Sequence, residues 1–403
     1  MNVEEVVRET LREQAAGQRA VPPGFADRVL AVRRRRRRLR GLTSLAAVVA
    51  AVVAIAVGVP LLDSGREQRP PAVRGNGISA HPDQSPPRDL IAAGDVALAA
   101  YYTAETVERT ADEGVNRRTY WLLDPATGRY EKDDRWSYVA VAPGMRTAAV
   151  LERELPARRI GILDLATGRV ERWVPVDHGV GGLAYSRDGG RIVATTYDEN
   201  PDLRYRVGGP EGEAGWLSLM GRPSRTGFLV LDVVTEDITW SAVPAGQDST
   251  ARRDFAFSRT GDLVYAQVIG ERDGLQEFFD LSGEAVRAPA DERYLRSDVP
   301  ARLSPDGRLA ALGLTKERTD KSWSSVRDPL SGKEVTKVRG GTLLAWADDR
   351  RLIAWERTPG IEEYQGRLVL VTIGSDEVVQ LSGTRVPDDD FDRQEWEPVF
   401  VTR

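Results

Sequence analysis

Beyond residue 90 the chain reads as short apolar runs of strand length separated by tight turns, and two units recur. In the first, an apolar strand ends in Asp, a small turn follows, and a second strand begins. Copies are YWLLDPATGRY at 120–130, IGILDLATGRV at 160–170, FLVLDVVTEDI at 228–238, EFFDLSGEAV at 277–286 and SVRDPLSGKEV at 325–335, with LVLVTIGSDEVV at 368–379 as a divergent sixth. The second unit is a strand, a tight turn and another strand. It reads VAVAPGMRTAAVL at 139–151, LAYSRDGGRIVAT at 183–195, FAFSRTGDLVYAQV at 255–268, ARLSPDGRLAALG at 301–313 and LLAWADDRRLIAW at 343–355. Its Asp-Gly pieces supply the left-handed positions and local Asx bonds of tight hairpins.

Asp124, Asp164, Asp232, Asp280 and Asp328 are spaced 40, 68, 48 and 48 residues apart. A four-stranded unit of about 40–50 residues is the period of propeller blades. The expected fold is therefore all-β: a β-propeller of six four-stranded blades over residues 90–403. One blade lacks its innermost strand, and Pro398, Val399, Phe400, Val401 and Thr402 can supply it to the hairpin that begins Asp95-Val96-Ala97-Leu98, which removes exposed edges.

A different pattern precedes this. Residues 42–62, LTSLAAVVAAVVAIAVGVPLL, carry no charge, and about 20 apolar residues cross a bilayer core as a helix. Arg33, Arg34, Arg35, Arg36, Arg37, Arg38 and Arg40 stand directly before it. They are the expected topology determinant of an uncleaved signal anchor, placing the N-terminus in the cytoplasm and the C-terminus outside. Beside a span, this basic run reads as topology and not as a nucleic-acid site. A cleaved signal peptide fits poorly, because some 40 residues precede the run. Residues 1–41 form a short helical cytoplasmic segment in which Val3, Val6, Val7 and Leu11 make one stripe, a face for a cytoplasmic protein or for lipid headgroups. Residues 63–89, rich in Pro, Gly and Ser, read as an extended tether.

Composition narrows the chemistry. The absence of Cys excludes disulfides, thiolate metal sites and thiol nucleophiles, and His81 and His178 are the two histidines. Of 56 basic residues 51 are Arg. Residues 1–41 have a net charge of +6 and residues 63–403 of −11.

Ser304-Pro305-Asp306-Gly307-Arg308, echoed by Ser186-Arg187-Asp188-Gly189 and Ser258-Arg259-Thr260-Gly261, resembles the repeat of TolB-like and WD40-like bacterial propellers. The layout looks like single-pass actinobacterial membrane proteins with an extracytoplasmic propeller of this kind. That resemblance implies a binding platform. By resemblance to membrane regulators with short cytoplasmic heads, it also implies a sigma factor as the inside partner, although the head lacks their His and Cys zinc pattern.

No G-x-S-x-G elbow, P-loop or dinucleotide fingerprint occurs. His178 sits among Gly179, Gly181 and Gly182 in an expected loop, and the Asp residues of the repeats are explained by turn geometry. No cofactor is expected. Three segments stand out as loops on one face. The first, 102–117, bears Glu105, Glu108, Asp112 and Glu113. The second, 198–225, accounts for the 68-residue spacing and offers Trp216, Leu219 and Met220 to a partner or to the propeller itself. The third, 381–398, bears Asp388, Asp389, Asp390, Asp392, Glu395 and Glu397. If the last strand completes the first blade, the first and third segments form one acidic rim for a cation such as Ca²⁺ or a basic partner. The function expected is a non-enzymatic, membrane-anchored module that binds a protein or small molecule on the propeller face and relays to the cytoplasmic segment. The alternative is a cell-surface hydrolase that uses a carboxylate pair on polysaccharide or peptidoglycan.

Overall fold

The computed structural model describes residues 77–403, apart from 209–213, 219–223, 245–251, 269–273, 319, 360–364 and 386–392. These residues form strands and turns without a helix, so none of them builds a helix long and apolar enough to cross a membrane. The expected span at 42–62 and the arginines before it lie outside the described residues.

Five antiparallel sheets follow one another along the chain. The first holds Val96–Glu108, Glu113–Asp124 and Arg129–Asp133, with the last strand of the chain, Arg393–Thr402, against Val96–Glu108. Val96 faces Thr402, Leu98 faces Phe400 and Tyr101 faces Pro398, so the two ends of the β region share a sheet as the sequence led one to expect. The second sheet has seven strands from Trp136–Val141 to Ile238–Ala242. Its middle strand, Arg169–Tyr185, pairs by its first half with Ala157–Asp164 and by its second with Arg191–Tyr197. His178 therefore sits on a strand and not in a loop, with its ring stacked 4.0 Å from Trp240. The third sheet runs from Ala256–Phe257 to Ala285–Val286, the fourth from Ala310–Glu317 to Glu334–Arg339, and the fifth from Thr342–Trp346 to Val378–Thr384.

The turns explain the repeat. Asp124, Asp164, Asp232, Asp280 and Asp328 each accept hydrogen bonds from backbone N–H groups two to four residues on, the Asx turn that lets a strand reverse. In the other unit the hydroxyls of Ser186 and Ser304 donate to Asp188 and Asp306 at 2.6 Å, and each hydroxyl accepts the N–H five residues on. These aspartates are turn residues.

Alternating strand residues are buried between neighbouring sheets. Ala97, Tyr120, Trp136 and Val150 join the first sheet to the second, and Val193, Phe228, Phe255 and Val264 join the second to the third. The third and fourth meet through polar groups, with Arg302 paired to the buried Glu292 and its guanidinium 4.0 Å from the Tyr265 ring centre. Val326, Leu343 and Leu352 join the fourth to the fifth. Leu98, Tyr101, Trp355 and Leu368 then join the fifth back to the first. Antiparallel meanders packed face to face in chain order, with the last on the first, make a β-propeller.

Gly94 sits at that last seam. Its φ is +55°, and a Cβ there would lie 2.1 Å from the Ala347 carbonyl oxygen, which accepts the N–H of Asp95 at 2.8 Å. Gly94→Ala is expected to cost about 1–3 kcal/mol in chemical denaturation, through overpacking and a strained φ together.

The segment expected as a tether to residue 89 is already packed before that point. His81 donates its N–H to Leu381 at 2.8 Å, and the buried Gln84 side chain accepts from the N–H groups of Arg88 and Asp89. The chain is thus fixed along the outer strand of the fifth sheet from about residue 79, and its prolines shape a bound coil there.

Candidate functional site

The turn between Val96–Glu108 and Glu113–Asp124 lies at the opposite end of the first sheet from the Asp124 turn. There the expected first loop is mostly strand: Glu105 and Glu108 lie on Val96–Glu108 and Glu113 starts Glu113–Asp124, which leaves 109–112 as the turn. The hairpin extends because other strands cover both of its sides. On one side Ala104 and Glu105 face Gln394 and Arg393. On the other, the insertion of the second sheet crosses over as a hairpin, Leu203–Gly208 with Ala214–Leu217, and pairs Leu203 with Val115 and Tyr205 with Glu113.

The crossing hairpin is pinned by a buried charge network. Asp202 is 1% exposed and accepts both guanidinium ends of Arg118, at 2.8 and 3.2 Å, and of Arg252, at 2.9 and 2.9 Å. Arg252 also donates to Asp254 at 2.6 Å and to the Gly181 carbonyl at 2.9 Å. Tyr197 donates its hydroxyl to Asp254 at 2.8 Å. A Cβ at Gly182 would meet Asp254 Oδ1 at 2.2 Å, so that glycine is what lets the carboxylate approach. Burial pushes the Asp202 carboxyl up, but Arg252 and Arg118 overcome it and hold it well below the usual carboxylate range.

Sequence reasoning missed this network. Its one trace is Arg118, which shares a strand face with the buried Tyr120 and Leu122 by the two-residue period, and a charge on a core face calls for a buried partner.

Part of the expected acidic rim lies among the described residues. Glu108 pairs with Arg206 of the crossing hairpin at 3.5 Å, the N–H of Asp112 turns back on Thr110 at 3.3 Å, and Glu105 and Glu108 are three residues apart on one strand. Asp388, Asp389, Asp390 and Asp392 lie outside the described residues. Among the described residues no three His, Asp or Glu side chains converge as metal ligands would. Trp216 packs within the hairpin, its ring 5.5 Å from the Arg206 guanidinium and close to Gly114. Leu219 and Met220 lie outside the described residues.

The same end carries a cavity of about 600 Å³ between the fourth, fifth and first sheets. Leu314, Leu344, Pro300 and Trp355 give it an apolar wall. The three acids on it each have an arginine: Asp298 meets Arg296 at 3.0 Å, Glu317 meets Arg357 at 3.5 Å, and Glu397 meets Arg385 at 3.1 Å. Arg385 also pairs with Glu395 and lies 4.3 Å from the Trp355 ring centre. Burial pushes the Glu397 carboxyl up while Arg385 pulls against it. Carboxylates engaged in this way hold a wall in place, and the volume lies within the range of ligand sites.

No protein-family model matches this chain, and no curated protein does. Similar solved structures include a Kuenenia stuttgartiensis hydrazine synthase, at 15% identity over 64% of this chain and 68% of that one with a TM-score of 0.36. TolB from Acinetobacter baumannii is similar at 14% identity over 76% and 67%, with a TM-score of 0.41. Kluyvelomyces marxianus Hsv2 is similar at 15% identity over 70% and 93%, with a TM-score of 0.29. The propeller itself rests on the sheet order and packing described above.

Proposed function

We propose that this protein is a membrane-anchored, non-enzymatic binding module: a six-bladed propeller held outside the cell by the apolar span at 42–62. It takes a protein or small-molecule ligand on its loop end and relays to a cytoplasmic partner on the Val3–Leu11 stripe. The blade count treats the two halves of Arg169–Tyr185 as strands of consecutive blades and the last strand as the inner strand of the first.

The observation that carries the reading is the cavity, an open site with an apolar wall whose acids are each engaged by an arginine. A carboxylate hydrolase needs one acid held protonated and another left free at a defined separation. All three wall acids stand in ion pairs with arginines.

The test is cross-linked co-purification from the native host, comparing the full chain with one lacking residues 2–32 and keeping the arginine run. Loss of a cytoplasmic partner, with partners outside retained, is the expected result. An unchanged partner list on both sides would remove the relay and leave the N-terminal stripe as a membrane-surface helix.

A further inference from the structure

The fourth sheet has three strands where the neighbouring third and fifth have four. Its place nearest the propeller axis is taken only at the turn: Leu303 bridges Ala310, Ala311 donates its N–H to Arg302 at 2.8 Å, and Ser304 donates to Leu309 at 2.8 Å. Upstream, the chain leaves that place. Ala301 donates its N–H to Leu343 of the fifth sheet at 3.2 Å, Pro300 has no N–H, and Ser297 donates to Gly274, just before a strand of the third sheet, at 2.9 Å. Past Ala311, no described segment pairs with the axis-facing edge of Ala310–Glu317.

That edge is exposed from Leu314 to Glu317, with Leu314 at 48%, and it forms one side of the cavity. The pairing register shifts between Leu314 and Lys316. A bulge of this kind places Leu314 and Glu317, three apart, on one wall.

Resting on the reading of this cavity as the ligand site, we propose that it binds an extended segment of a partner protein, which adds to Ala310–Glu317 as the missing inner strand. The backbone decides the class of ligand. An open edge presents alternating N–H and C=O groups along a line, and a polypeptide in β conformation matches that row. The open length, residues 314–317, spans about 14 Å at 3.4 Å per residue, the scale of the short inner strands that fill this place in other sheets. Alternate side chains of the incoming segment would face Leu314, Leu344 and Trp355, which calls for an apolar residue at its centre.

The test uses the full-length protein in nanodiscs and a phage-displayed library of random dodecapeptides. Enriched peptides are expected to have an apolar centre and to slow amide exchange at residues 314–317 by about tenfold or more at saturation. N-methylation of alternate peptide amides should weaken binding about tenfold, and so should Leu314→Asp. Leu314 is exposed, so this variant keeps its fold, and Leu330→Asp on a distant turn serves as the control. No enrichment would overturn the proposal. So would peptides that bind the Leu314→Asp protein equally and protect other amides. In parallel, the native host is cross-linked with parent and Leu314→Asp proteins. An outside partner retained by Leu314→Asp sinks strand addition and leaves the binding-module reading standing, whereas no outside partner for either protein sinks that reading too.

Discussion

Replacing Asp202 by Ala is expected to destabilise the propeller by about 3–5 kcal/mol, because the change leaves the buried Arg118 without its counter-ion and strips Arg252 of one of its two. Arg118 is 9% exposed, and Arg252 keeps only Asp254 and the Gly181 carbonyl. Urea denaturation of parent and variant at pH 7 gives the figure. The effect also has a pH signature. The folded carboxyl of Asp202 titrates well below its unfolded value of about 3.9. Its contribution is therefore complete above about pH 4 and fades as the pH falls towards the folded pKa. Parent and variant should differ fully at neutral pH and converge in acid. A constant difference across that window would mean that Asp202 acts through packing and not through charge. The variant should also raise amide exchange in Leu203–Gly208, since that strand is fastened by the network as well as by its ladder to Glu113–Asp124.

A chain ending at Gln394 is expected not to yield soluble folded protein. The cut exposes the inner edge of Val96–Glu108 and removes Trp396, which is 4% exposed and packs edge-on against Tyr101 at 5.6 Å and Trp355 at 5.0 Å. Losing a buried aromatic of this size costs about 3–5 kcal/mol alone, and an open hydrophobic edge invites aggregation. A synthetic peptide of residues 393–403 added during refolding should restore soluble protein, with a stability that rises with peptide concentration. A truncated protein with the parent melting temperature would show that the last strand is dispensable.

Much of this fold was legible because its determinants are local. Each Asp turn and each Ser-x-Asp turn is closed by bonds within five residues, so the repeat, and with it the order of strands, could be read from the chain. The closing strand was legible for another reason: one blade was a strand short and the last residues of the sequence could supply it. The sixth copy, with Thr372 where the others have Asp, keeps its turn through Ser375, so its divergence did not break the pattern.

The crossing hairpin could not be read in this way. The wide Asp spacing located the insertion, but its partner strand lies some 90 positions earlier, and strands of six and four residues carry too little alternation to name it. The partners of the charged residues were hidden in the same respect. Glu108 looked like a rim acid because nothing local to it reveals Arg206, and Asp202 looked like a loop residue although its two arginines stand 84 and 50 positions away. The cavity depends on the departure of residues 297–301 from the edge beside them, and no periodicity encodes a strand that does not form.

Arg169–Tyr185 has a further consequence. Because one unbroken strand serves two successive meanders, no connecting loop there can open while both sides stay intact. Fraying on either side must pull on the same hydrogen-bonded backbone. In native-state hydrogen exchange the slow amides from Trp136–Val141 to Arg225–Asp232 should therefore open together as one cooperative unit, while the third and fourth sheets, which meet through polar groups, open at lower free energy.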